Sequence, residues 1–336
     1  MTVEVSREAK ALHDRTLVID GVVVAPPAEW ALDNLRTGGI AACNWSVATH
    51  SEEPLTAMLQ MESFHWLLDK FPEKAVLALS VRDIERAREE GKLAVVMGFQ
   101  TGSPLAQEFH LLTIFWRLGL RIIQFTYNTR NALADGCLEP EGRGLTHFGI
   151  EMVRESNKLG VVLDVAHASH RSAMDIVEHS EDPVMDSHCG AYTLRPNPRN
   201  ARNELIKAVA EKGGVIGIAG FSDFVGDTSE GRWPNIDDLL GHLDYVVNMV
   251  GVDHVGIGSD ILQASAGPSW DNGTKRKYPE ICGGMTIERH HIKDMSDHKA
   301  FPRITEGLLK RGYSDGEVQK IMGQNWLRLY RQVWGE

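Results

Sequence analysis

Val161-Val162-Leu163-Asp164-Val165-Ala166-His167 is a nearly unbroken apolar run that ends on an imidazole. Such two-sided, β-branched hydrophobicity suits a strand covered on both faces, as in a parallel sheet wrapped by helices. The pattern returns at residues 17–24, 40–47, 94–99, 122–127, 183–188, 214–219 and 254–260, making eight candidate strands. Helical patterns fill the gaps. Over 235–250, Ile236, Leu239, Leu240, Leu243, Val246, Val247 and Val250 share one helical face. Asn235 can cap that helix, Asp237 and Asp238 suit the positive end of its dipole, and Gly251 stops it. A last helix opens at Ser314-Asp315-Gly316-Glu317, a capping-box pattern, and runs toward Trp334. Eight β/α alternations predict an α/β fold, a (β/α)8 TIM barrel, with an open doubly wound sheet as the alternative.

No internal repeat, low-complexity tract or shift of composition marks a linker, so residues 1–336 read as one domain. After the last strand, residues 261–299 form a long stretch rich in Gly and His, the length of a lid or an interface element. The balance of 35 basic against 46 acidic residues gives a net charge of −11. That argues against a nucleic-acid partner, which needs a basic stripe, and against docking on an anionic membrane. Cys43, Cys137, Cys189 and Cys282 are scattered without metal or redox spacing, which suits a reducing compartment. Residues 1–15 are charged and lack the apolar core of a signal peptide, and no apolar run reaches the roughly 18 residues of a membrane span. A cytoplasmic location is the expectation.

In a barrel of this kind the C-terminal ends of the strands face the active-site mouth. The polar residues ending the inferred strands are Gln100, Tyr127, His167, His188 and Asp260. Imidazole and carboxylate are standard zinc ligands, and three protein ligands with an open fourth position make a catalytic site. Two strand-end histidines with a strand-end aspartate favour a site over isolated structural residues. Asp164 and Asp186, just before the histidines, read equally as orienting partners or plain polar strand positions. Residues 213–220 lack the spacing of a dinucleotide loop and read as a strand. Cys189 reads as a buried small residue, and His290, His291 and His298 as part of a solvated lid.

Gly144-Leu145-Thr146-x-Phe148-Gly149, followed by Asn157-Lys158-Leu159-Gly160 and Asp164-Val165-Ala166-His167-Ala168-Ser169, resembles the central motif of the renal-type membrane dipeptidases. These belong to the amidohydrolase superfamily of metal-dependent barrels. Ser187-His188, Ala191-Tyr192, Pro198-Arg199-Asn200, the 254–260 strand and Gly323-x-Asn325-x-x-Arg328 extend the likeness from about Thr16 to Trp334. The resemblance implies an amidohydrolase-like barrel built for two zinc ions. The family's first strand supplies His-x-Asp where this chain has Val22 and Val24, and its bridging Glu falls at Gln100. His167 and His188 match its two later histidines, and Asp260 its metal-binding, proton-accepting acid. Tyr127 stands where the family has an active-site histidine, and Arg199 matches the arginine that grips a substrate carboxylate.

The resemblance therefore implies a single Zn2+ on His167, His188, Gln100 and Asp260, held weakly because Gln100 is uncharged. The expected function is a metal-dependent hydrolase of a small amide or dipeptide-like carboxylate. Asp260 and Tyr127 would be catalytic, and Arg199, Tyr127 and Asn128 would contact the small-molecule substrate. A drifted member with a different C–N or C–C bond reaction, or a non-catalytic binding barrel, is the alternative. Family habit also implies a possible homodimer.

Overall fold

The computed structural model describes residues 4–48, 53–228, 231–262, 275–282 and 285–335. Ten strands are present among them: β1 (Val18–Val24), β2 (Ile40–Ala48), β3 (Ala75–Leu77), β4 (Leu93–Phe99), β5 (Leu120–Gln124), β6 (Val162–Asp164), β7 (Met185–Cys189), β8 (Val215–Ile218), β9 (Val255–Ile257) and β10 (Ile261–Leu262). Their order is β10-β1-β2-β4-β5-β6-β7-β8-β9, with β3 paired beside β4. Every pairing is parallel.

The two ends of that order belong to one piece of chain. β9 pairs with β8 through Ile218↔Ile257, and β10 pairs with β1 through Val23↔Ile261 and Val24↔Leu262. Between them the Gly258 N–H donates to the Ile218 carbonyl at 3.2 Å and the Asp260 N–H to the Val22 carbonyl at 3.3 Å. The sheet therefore closes on itself as a barrel, and the open doubly wound alternative falls away. Helices such as His147–Leu159, His170–His179, Asn203–Glu211 and Ile236–Val250 follow the strands. No helix among the described residues is long and apolar enough to cross a membrane.

Local chemistry sets the helix ends where expected. The Asn235 side chain accepts from the Asp237 and Asp238 N–H groups while Asp238 caps back onto Asn235, and Gly251 ends the helix at a φ of 87°. The last helix is not continuous. Asp315–Gln319 runs into a kink within Lys320–Gln324, where Gly323 leaves the helical region, before Asn325–Trp334 resumes. A Cβ on Gly323 would lie 1.9 Å from the Leu17 carbonyl, so this turn packs directly on the backbone entering β1.

Two expectations need correction. β5 stops at Gln124 and β6 at Asp164, so Tyr127 and His167 sit just beyond the ladder rather than in it. And His290, His291 and His298 are not solvated, being 9%, 5% and 0% exposed. His291 Nε2 accepts from the Leu262 N–H at 2.8 Å, and His298 Nε2 lies 3.3 Å from the Asp20 carboxylate. Buried backbone and carboxyl groups need partners, and these imidazoles supply them. Within 261–299, positions 263–274 and 283–284 lie outside the described residues.

The barrel interior is filled by an indole. Trp326 is fully buried and its Nε1–H donates to the Ile257 carbonyl at 3.1 Å. Cβ atoms built on Gly21, Gly217 and Gly256 would fall 2.7, 3.1 and 2.5 Å from its ring, so three strands admit it only because they carry glycine there. Trp326→Ala should destabilise the fold by about 3–5 kcal/mol, read as a lower urea midpoint. A loss below about 1 kcal/mol would mean the indole is not what fills the barrel.

Candidate active site

Three strand ends turn into their loops through left-handed residues. Asn128, His167 and Asp260 have φ of 64°, 64° and 52°, and they are three of the five non-glycine residues with positive φ among those described. Asn, His and Asp tolerate this region better than most residues, yet each still costs about 1 kcal/mol. Surrounding backbone holds them there. The His167 carbonyl accepts from the Cys137 N–H and the Asn128 carbonyl from the Leu138 N–H, both at 2.9 Å. All three of these residues line one cavity.

His167 and His188 meet there, with their Nε2 atoms 3.0 Å apart. The partners of the other ring nitrogens decide what lies between them. His167 Nδ1–H donates to Asn128 Oδ1 at 2.6 Å, and the Cys137 thiol donates to the same oxygen at 3.4 Å. On the far side, His188 Nδ1 lies 2.6 Å from Ser187 Oγ. The Ser187 hydroxyl hydrogen-bonds the Asp164 carboxylate, which also accepts from the backbone N–H groups of Ser187 and Ala166 and from the Gln124 amide. When the Ser187 proton goes to Asp164, Ser187 Oγ receives the His188 Nδ1–H. Both imidazoles then turn an Nε2 lone pair toward the other, and burial holds His188 well below the ordinary imidazole pKa. Two lone pairs at that separation repel unless a cation lies against them. Asp164 is thus an orienting partner, not a plain strand position.

The remaining predicted residues surround this pair. Gln100, Tyr127, Asn128, His167, Arg199 and Asp260 line one cavity of about 90 Å3. The Tyr127 ring stacks on His167 at 4.2 Å between centroids, and loss of solvent raises its hydroxyl above the ordinary phenol pKa. Loss of solvent also pushes the Asp260 carboxyl up to about 7, against the opposing pull of Arg199. Arg199 donates from Nη2 to the His188 carbonyl at 3.1 Å and lies over the Phe224 ring. Asn128, expected on the substrate, spends its carbonyl oxygen on His167. Sequence reasoning gave no role to Ser187 and missed Gln124 and Tyr278. Ser187 sits in plain view beside His188, whereas Tyr278 comes from the long loop and carries no spacing signal.

Whether these residues suit zinc follows from the donors. Two imidazole Nε2 atoms converge while hydrogen bonds hold both Nδ1 atoms, as orienting partners do at metal sites. Yet among the described residues no three His, Cys, Asp or Glu side chains gather closely enough to hold a metal ion. Val24 presents aliphatic surface to the cavity and Val22 is fully buried. The set offers two imidazoles, with the neutral Gln100 amide on the same cavity as His167, and falls short of the three protein ligands usual for catalytic zinc.

Comparison with known proteins agrees with this architecture. A fungal relative from Claviceps purpurea (strain 20.1), dipeptidase tcpJ, is 27% identical over 292 residues, covering 86% of this chain; the chain spans only 63% of that relative's length. The crystal structure of an amidohydrolase from Pseudomonas aeruginosa superposes with a TM-score of 0.90 at 31% identity, covering 98% of this chain and 99% of the other. Dipeptidase AC, a metallopeptidase of family M19, shares the fold with a TM-score of 0.81 at 18% identity, covering 96% of this chain and 99% of its own. The family model for membrane dipeptidases matches residues 7–283 and 281–334. With the barrel, the strand-end imidazoles and that match together, the chain belongs to the membrane dipeptidase family, peptidase family M19.

Proposed function

We propose that this chain hydrolyses a small amide or dipeptide-like substrate bearing a carboxylate, with a single, weakly held cation at His167 and His188. The observation that supports it most is the pair of Nε2 atoms 3.0 Å apart, on His167, which lines the same cavity as Asp260, and on His188 buried behind it. Zinc held on those two nitrogens would supply Lewis-acid polarisation of the scissile carbonyl.

The protein's own groups do the rest. The Arg199 guanidinium grips the substrate carboxylate through charge-assisted hydrogen bonds. Asp260, poised at about 7, is available in both protonation states near neutral pH. It takes a proton from water as the water oxygen adds to the carbonyl carbon, then returns it to nitrogen as the C–N bond breaks. The Tyr127 hydroxyl stays protonated and donates to the developing oxyanion, with its ring kept in place by the stack on His167. The cavity of about 90 Å3 brings Arg199, Asp260 and Tyr127 to one wall, so a single small substrate can meet all three.

The base must be deprotonated, so kcat/KM should fall about tenfold per pH unit below about 7 and level off above it. Asp260→Asn should lower kcat by about 10²- to 10⁴-fold and remove that acid limb. A variant that keeps wild-type kcat would show that Asp260 handles no proton. Elemental analysis should find no more than one zinc per chain, and none in a His167→Ala, His188→Ala double variant. Two zinc ions per chain, or amide hydrolysis at full rate in that variant, would sink the single-cation reading.

A further inference from the structure

Beside the catalytic cavity lies a second one of about 260 Å3, and the two adjoin at Val24 and Leu262, which line both. These residues are ladder partners at the ends of β1 and β10. Both stay part-exposed, whereas Val23 and Ile261 just before them are fully buried. The catalytic cavity alone falls short of the roughly 300–1,000 Å3 of small-molecule sites, and with its neighbour it enters that range.

The second cavity has a different chemistry. Among the described residues its wall carries no Asp, Glu, Lys, Arg or His side chain. Pro26, Pro27, Val47 and Phe64 supply apolar surface, and the Ser63 hydroxyl is spent on the Leu59 carbonyl at 3.0 Å. An uncharged apolar wall selects a ligand by the apolar area it removes from water. This wall is also held in place beforehand. Trp45 packs edge-on against Phe64 at 5.3 Å between centroids, and its Nε1–H donates to the Ala25 carbonyl at 2.8 Å. The two prolines that follow restrict the backbone, and the Leu262 N–H is fixed by His291. Such a wall has little left to order when a ligand arrives. Arg199 lines the catalytic cavity but not this one. A substrate whose carboxylate is held by Arg199 therefore has its acyl half free to cross Val24 and Leu262.

We propose that this second cavity takes a branched aliphatic or aromatic side chain on the acyl half of the substrate, with Val24, Leu262, Phe64 and Pro27 as specificity-determining residues. The assignment rests on the hydrolytic reading above and narrows its substrate to dipeptide-like amides whose acyl residue is apolar.

The test compares L-leucylglycine with glycylglycine on the wild-type chain and on Ser63→Trp, whose indole fills the second cavity from a position that does not line the catalytic one. In the wild type, kcat/KM for the leucyl substrate should exceed that for the glycyl substrate by about tenfold or more, since even one methylene in an apolar pocket contributes about 10- to 200-fold. In Ser63→Trp that ratio should fall toward one. Ser63 is part-exposed, and circular dichroism checks that the variant folds; if it does not, the wild-type ratio decides alone. If neither dipeptide is cleaved, the hydrolytic reading fails, and the two compounds serve instead as ligands in isothermal titration calorimetry. Binding of L-leucylglycine about tenfold or more tighter than glycylglycine, with that preference lost in Ser63→Trp, then supports the apolar subsite by itself. Equal kcat/KM for the two substrates overturns the inference, as does equal or absent binding where there is no turnover. A leucyl preference that survives in folded Ser63→Trp overturns it as well.

Discussion

Segment 255–262 must bond to β8 and β1 at once, and the buried Asp20 carboxylate makes that geometry possible. Asp20 accepts from the Ser259 N–H at 2.8 Å, from the Ser259 hydroxyl at 2.5 Å and from the Val22 N–H at 3.3 Å, with His298 beside it. These bonds fix the bend between β9 and β10, and the bend sets Asp260 at the barrel mouth with a left-handed backbone. A charged-group hydrogen bond contributes about 1.5–3 kcal/mol, enough to outweigh the local strain. The closure of the barrel and the aim of its acid thus have one cause.

The same division of labour recurs at each strand end. Main-chain bonds hold His167 and Asn128 in conformations they would not choose, and side-chain bonds from Asn128, Ser187 and Asp164 then choose the tautomer of each imidazole. Few of these partners touch the space where a substrate would sit. They spend their hydrogen bonds on one another, so the electrostatic character of the mouth is settled before anything enters it.

Much of the architecture was legible because it rests on local, repeating signals. Apolar runs flanked by helical periodicity marked the barrel, and the caps at Asn235 and Ser314 marked helix starts within a residue. Strand ends were less legible: β5 and β6 stop short of Tyr127 and His167 because ladder pairing is decided by neighbouring strands, not by the apolar run itself. The kink at Gly323 was hidden for a similar reason, since the backbone packed against it is Leu17, far away in sequence. At the site, ligand-type residues at strand ends could be picked out, but the direction of each hydrogen bond could not. Asn128 lines the cavity as expected of a substrate contact, but nothing in the sequence signalled that its carbonyl oxygen serves His167, and the loop histidines read as solvated although burial recruits them as partners.

The indole of Trp326 has a bearing on how the chain reaches this state. It joins the interior from roughly three hundred residues beyond Gly21, and contacts at such separation form late because loop closure must come first. Without the helix Asn325–Trp334 the glycine-lined hollow between β1, β8 and β9 has no filler and the eight-strand circuit lacks a centre. A chain cut before Trp326 would thus keep every strand of the barrel yet lack the side chain that fills its centre.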